Sequence, residues 1–206
     1  MHPATHSSID PIATQLRERT TGLVLAGGAG RRMQSRDKGL VSWQGEPLVA
    51  HAARSLRPLV SRLLISCNRN LDRYRNFADH VVTDMRSGCE GPLAGLEAAG
   101  RELNTPLLLV SPCDMPGVSQ AVFALLRDTI TIQPEKRPDA VYLFSSGREH
   151  YLCLALRREA LAGITDYLDS GRRSVKGWLS TLDTRTMCID LPQQALRNIN
   201  QIYTGD

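Results

Sequence analysis

The sequence predicts a single α/β domain, a mostly parallel Rossmann-like sheet with helices on both faces. Three observations predict it. Short apolar runs without polar alternation recur along the chain, as expected for strands buried on both sides. Stretches with apolar residues at helical spacing separate those runs. No internal repeat or low-complexity linker divides the 206 residues, a length that can bury one proper core.

The elements follow in order. Residues 1–20 are polar and weakly patterned and read as a flexible N-terminal tail with a short helical turn near Ile12, so the domain spans 21–206. Residues 22–26 form a buried strand, and 47–59 a helix carrying Leu48, Val49, Ala52 and Leu56. Strands are expected at 62–66 and, very short, at 81–83. A helix over 92–103 presents Leu93, Leu96, Gly100 and Leu103 on one face. A strand at 107–110 and a helix at 118–130 come next. The later part is less regular, with strands near 141–144 and 152–156, helices near 160–168 and 175–182, and a strand at 187–190.

Composition is ordinary for a soluble globular protein, with 42% hydrophobic and 22% charged residues. The net charge of +4 suits a handler of small polyanions and does not demand nucleic acid. No apolar run approaches the roughly 20 residues that cross a bilayer, and no secretory signal opens the chain, so a cytoplasmic protein is expected. Five widely spaced cysteines (Cys67, Cys89, Cys113, Cys153, Cys188) contain no Cys-x-x-Cys pair. They argue for a reducing compartment and read as small buried hydrophobes, Cys89 being the most exposed.

Ligands of open α/β sheets bind beyond the carboxyl ends of strands. Gly27, Gly28 and Gly30 follow the first strand at once, and Arg31, Arg32 and Lys38 add positive charge in the same stretch. Glycines there let backbone N–H groups approach an anion, so the loop reads as a triphosphate pocket. A Walker A loop is excluded because the chain contains no Gly-Lys pair. A dinucleotide fingerprint is excluded because Met33 occupies the third glycine position. The competing reading, a plain strand-to-helix turn, does not explain three basic residues on so short a loop.

Leu25-Ala26-Gly27-Gly28-x-Gly30-x-Arg32-Met33, followed by Asp37-Lys38, resembles the signature of nucleotidyltransferases with a glycosyltransferase-A-like fold. Within that superfamily the chain is most similar to the molybdenum cofactor guanylyltransferases, from about residue 21 to residue 200. The later motifs carry the narrower resemblance. Asp114, held between Pro112 and Pro116 just past a buried strand, is suited to a hard cation and matches the family's Pro-Cys-Asp-x-Pro segment. Asn68 leaves the second strand, where an amide can read a base edge or cap a turn. Asp84 ends the third strand and is otherwise a turn or helix cap. Gly91-Pro92-Leu93-Ala94-Gly95 is the most discriminating run, and Gly95 is expected to allow close approach of backbone to ligand.

The resemblance implies transfer of GMP from GTP to the terminal phosphate of molybdenum-molybdopterin, with Mg²⁺ on Asp114 and pyrophosphate as leaving group. It implies Arg32, Lys38 and Asp114 as catalytic residues. GTP would lie against Leu25, Ala26, Gly27, Gly28, Gly30, Lys38, Asn68, Asp84, Gly91, Pro92, Leu93 and Asp114. His150, Arg172, Arg173, Asn198 and Asn200 resemble the acceptor side, where arginine forks suit phosphate. Tyr151 departs from the family, which usually carries proline after this histidine. A monomer is expected, in transient contact with molybdoenzymes or their chaperones and with neither nucleic acid nor membrane. Cytidylyl transfer, guanylyl transfer to another small phosphate, and a non-catalytic carrier of GTP or molybdopterin remain as alternatives.

Overall fold

The computed structural model describes residues 10–27, 37–86, 91–132 and 137–199. Gly28, Gly30, Arg31, Arg32, Cys89 and Asn200 lie outside the described residues.

Part of the expected tail is ordered. Helix α1 (Pro11–Glu18) starts at Asp10, whose carboxylate accepts the Ile12 N–H at 3.0 Å, with proline in its first turn. None of its residues is buried, so its spacing gives little sign of packing. Strand β1 (Thr20–Leu25) is buried throughout. A small antiparallel pair, β2 (Ser42–Trp43) and β3 (Glu46–Pro47), has no counterpart among the expected elements. It turns through Gln44 and Gly45, both at positive φ, the tight hairpin geometry that Gln-Gly tolerates. Helix α2 (Leu48–Leu56) ends earlier than expected and gives way to a 3-10 turn, Arg57–Leu59. Pro58 lacks the N–H needed to continue an α-helix.

Strand β4 (Arg62–Ser66), the short helix α3 (Leu71–Tyr74) and strand β5 (His80–Val82) follow. Then come α4 (Pro92–Arg101), β6 (Leu107–Pro112) and α5 (Gln120–Thr131). Strands β7 (Ala140–Ser145) and β8 (Arg148–Arg157) form a hairpin through Ser146 and Gly147, both at positive φ. The hairpin draws Arg148 to Tyr151 into β8, although these residues lie before the strand expected near 152–156. A 3-10 segment (Arg158–Gly163), α6 (Ile164–Asp169), α7 (Val175–Leu179) and β9 (Thr184–Cys188) complete the regular structure of the described residues.

The seven-stranded sheet runs β5-β4-β1-β6-β8-β7-β9. Within it β8 is reversed, pairing antiparallel with β6 and β7, while the other pairs are parallel. Alternate side chains divide between two faces. Val24, Leu63, Ile65 and Leu109 meet α2 and α5 on one face, with Phe123 and Leu126. Leu23, Leu64, Leu108 and Val110 meet α4, α6 and α7 on the other, with Leu96 and Trp178. Each of these fully buried leucines stabilises the fold by about 1.5–3 kcal/mol. Cys67, Cys113 and Cys153 are buried as expected, but Cys188 is exposed at the end of the outermost strand.

Candidate active site

Parallel pairing aligns the carboxyl ends of four neighbouring strands. Leu25 is in register with Ser66 on one side and Pro112 on the other, and Ser66 with Val82. The ladder continues past the strands: Ala26 N donates to Ser66 O at 2.9 Å, Cys67 N to Val82 O at 3.1 Å and Cys113 N to Leu25 O at 3.1 Å. Residues one or two positions farther on therefore emerge side by side. These are Gly27, Asn68, Asp84 and Asp114, all read from the sequence as site residues.

Two contacts organise this edge. The Asn68 amide donates to Asp84 Oδ2 at 2.7 Å, and the Asp84 N–H donates to Asn68 Oδ1 at 2.9 Å. The pair joins the ends of β4 and β5, and Gly27 lies beside it, since a Cβ there would come within 3.9 Å of Asn68 Nδ2. Across β1, Lys38 Nζ donates to Asp114 Oδ2 at 2.7 Å. Both side chains are about three-quarters buried, at 26% and 22% exposure. The Cys67 and Cys113 thiols nearby are pushed up to about 12, chiefly by burial, so neither is a nucleophile near neutral pH.

The Gly91 run behaves partly as expected. Gly91 has φ +76° and Pro92 opens α4. Leu93 is fully buried in the core, so only its backbone could face a ligand. Gly95 corrects the sequence reading, because it lets α4 approach the sheet rather than a ligand. A Cβ at Gly95 would lie 2.5 Å from Ser66 Oγ and 2.9 Å from Leu25 Cδ2.

Arg86, two residues past Asp84, anchors a group that sequence reasoning missed. Arg86 makes two bonds of 2.7 Å to the Glu97 carboxylate, one of 2.6 Å to Asp169, and one of 3.3 Å to Thr165 O. Thr165 Oγ1 donates to Glu97 Oε1 at 2.8 Å. Glu97 is 4% exposed, and Arg86 holds its carboxyl below the usual range. No spacing in the chain signals a link between Arg86 and Glu97 or Asp169.

Beside Asp114 opens a cleft of about 1020 Å³, walled by β8 and by the segment after β9. His150 and Asn198 line it as the sequence suggested, together with Asp114, Arg148, Tyr151 and Arg197. Arg172 and Arg173 do not line it. Arg172 stacks 4.3 Å from the Tyr167 ring centre and donates to Ser170 Oγ, while Arg173 donates to the Leu168 and Arg172 carbonyls. They close the turn between α6 and α7. Arg148 and Arg197 are the cleft's arginines, and the sequence offers no motif for either. His150 Nε2 is buried without a hydrogen-bond partner among the described residues, and burial holds this imidazole below its usual pKa. Tyr142 and Tyr151 both donate to Glu149 at the cleft wall. The segment after β9 is pinned to the site: Ile199 N donates to Asp114 O at 2.9 Å, and Ile199 packs on Val41 and Leu48.

Gly27 just beyond β1, a Lys–Asp pair and an adjoining cleft on such a sheet make a nucleotidyltransferase-like architecture. A solved CMP:2-keto-3-deoxy-manno-octonic acid synthetase in complex with CTP has the same fold, with TM-score 0.70 at 10% identity over 89% of this chain and 94% of that one. So does molybdopterin-guanine dinucleotide biosynthesis protein A of Archaeoglobus fulgidus, with TM-score 0.70 at 22% identity, covering 88% and 92%. The MobA-like NTP transferase domain matches residues 22–185. A molybdenum cofactor guanylyltransferase of Pseudomonas fluorescens is 37% identical over 178 residues, which are 86% of this chain and 88% of that one. The chain belongs to the MobA-like nucleotidyltransferase family.

Proposed function

We propose that this chain transfers the guanylyl group of GTP to the terminal phosphate of molybdenum-molybdopterin, releasing pyrophosphate and forming the guanine dinucleotide cofactor. One observation carries the reading. Asp114 belongs both to the carboxyl edge, where it meets Lys38, and to the large cleft, so two substrates can meet at it.

The carboxyl edge would take GTP, with backbone N–H groups from 25–30 on the phosphates. The Asp84 carboxylate and the Asn68 amide offer an acceptor and a donor to the guanine edge and ribose. Lys38, with Arg32, would neutralise charge on the phosphates. Asp114 fits Mg²⁺: it is a partly exposed carboxylate at the strand ends, where it also borders the cleft. That donor set suits a hard cation that completes its shell with phosphate oxygens and water. Bound there, Mg²⁺ supplies charge neutralisation and alignment of the phosphates.

The acceptor phosphate oxygen forms a bond to Pα as the Pα–O bond to the β-phosphate breaks. The attacking group is already an anion, so no side chain need remove a proton. Catalysis is then positioning and charge neutralisation. In the cleft, the orphan Nε2 of His150 and the Asn198 amide are suited to the acceptor's polar edge, with Asn200 close in sequence. Arg148 and Arg197 suit its phosphate better than Arg172 and Arg173 do. We take residues 21–206 as the catalytic domain of a cytoplasmic monomer that meets molybdoenzymes or their chaperones in passing. No helix among the described residues is long and apolar enough to cross a membrane.

Incubation with GTP, Mg²⁺ and molybdopterin, with mass detection of the products, tests the reading. The guanine dinucleotide and pyrophosphate are expected with GTP and not with CTP. Product with CTP alone would make it a cytidylyltransferase, and GTP binding without pyrophosphate release would make it a carrier.

A further inference from the structure

Lys38 sits on a single 3-10 turn (Lys38–Leu40), closed by Leu40 N donating to Asp37 O at 3.1 Å and Val41 N to Lys38 O at 3.1 Å. The residue that starts this turn is gripped from α3. The Tyr74 hydroxyl donates to Asp37 Oδ1, and Asn70 Nδ2 donates to Oδ2 at 2.9 Å. Tyr74 is fully buried, and Asn70 adopts a left-handed conformation, φ +53°, at the head of the helix. Gly39 completes the fit, since a Cβ at this position would collide with the Tyr74 hydroxyl. A phenylalanine would fill the same apolar space. The hydroxyl's service is therefore to a carboxylate, and hydrogen bonds to charged groups are roughly twice as strong as neutral ones.

We infer that Tyr74 is a positioning residue for Lys38: through Asp37 it fixes the turn from which Lys38 reaches Asp114 and the nucleotide phosphates. The inference rests on the nucleotidyltransferase reading of this edge. Lys38 has a long flexible stem, and holding one end of it fixed lowers the entropy lost when its ammonium meets a phosphate.

The test is a double-mutant cycle on GTP affinity with Mg²⁺, using Tyr74→Phe and Lys38→Ala singly and together. Tyr74→Phe is expected to weaken GTP binding about tenfold in the wild-type background, by the misplacement of one charged contact. In the Lys38→Ala background the same change should cost less than about twofold. Thermal midpoints of Tyr74→Phe and wild type should lie within a few degrees of each other. Equal losses in both backgrounds, or wild-type affinity in Tyr74→Phe, overturn the inference. If Tyr74→Phe does not fold, Asn70→Ala, which removes the exposed partner of the same carboxylate, must show the same non-additivity or the inference fails. A wild-type chain that binds no GTP sinks the nucleotidyltransferase reading itself, and this inference with it.

Discussion

Lys38 and Asp114, 76 residues apart in the chain, meet at 2.7 Å across the end of β1. In a largely buried ion pair the cost of desolvation offsets much of the attraction, so the pair is weak evidence for a role in stability. Function explains it. Each group satisfies the other, and each is suited to exchange that partner for phosphate or cation.

Asp114→Asn tests this. The amide keeps the shape and loses the charge, so turnover with GTP and Mg²⁺ should fall by on the order of a thousandfold. Urea unfolding should be changed by no more than about 1–3 kcal/mol, since Lys38 keeps a neutral acceptor. Pyrophosphate release at the wild-type rate would remove Asp114 from the mechanism.

Asn68→Asp sets a second carboxylate where the Asn68 amide now donates to the Asp84 carboxylate, leaving only the bond accepted from the Asp84 backbone N–H. Repulsion should splay the ends of β4 and β5 and weaken GTP binding about tenfold or more. Isothermal titration with GTP reads the effect, and unchanged affinity would place the base elsewhere.

Glu97→Gln should destabilise the fold by about 2 kcal/mol at pH 7, because Arg86 then loses a buried charged acceptor. The folded carboxyl lies below its ordinary value, chiefly through the Arg86 hydrogen bonds. Its contribution is therefore present above the unfolded pKa of about 4.3 and lost as pH falls through the folded one. Denaturation curves of variant and wild type should differ at neutral pH and converge in acid. A constant difference down to about pH 2 would contradict the assignment.

Gly95→Ala should cost about 1–3 kcal/mol, because its methyl meets Ser66 and Leu25 in the interface of α4 with the sheet. Ser66→Ala in the same chain should recover part of the loss. If stability is untouched and only GTP affinity falls, Gly95 faces the nucleotide after all.

Local patterns carry much of the fold. The strand at 62–66 matches its expected bounds, and Gly27, Asn68, Asp84 and Asp114, picked out from the sequence, do lie just past β1, β4, β5 and β6. They can be read because an apolar run ends where a parallel strand leaves the core, and the next residues face the ligand edge. The start of β8 cannot be read that way. Arg148 and Glu149 have no strand pattern, and only pairing with Ser145 and Phe144 through the Ser146–Gly147 turn extends the strand there. Arg172 and Arg173 look like phosphate ligands because an arginine pair at a helix start has the right chemistry. Their direction is decided by Tyr167 and the Leu168 carbonyl, which no motif encodes.

By itself, the sequence determined the α/β class and the residues that leave the parallel strands at its carboxyl edge. Those features depend on neighbours within a few positions along the chain. Tertiary structure alone decided that Lys38 meets Asp114, that Tyr74 grips Asp37, that Arg86 is locked to Glu97, and that Arg148 and Arg197 face the cleft. Each of these joins segments separated by loops or whole elements. Their meeting depends on the sheet's strand order, which no local stretch specifies.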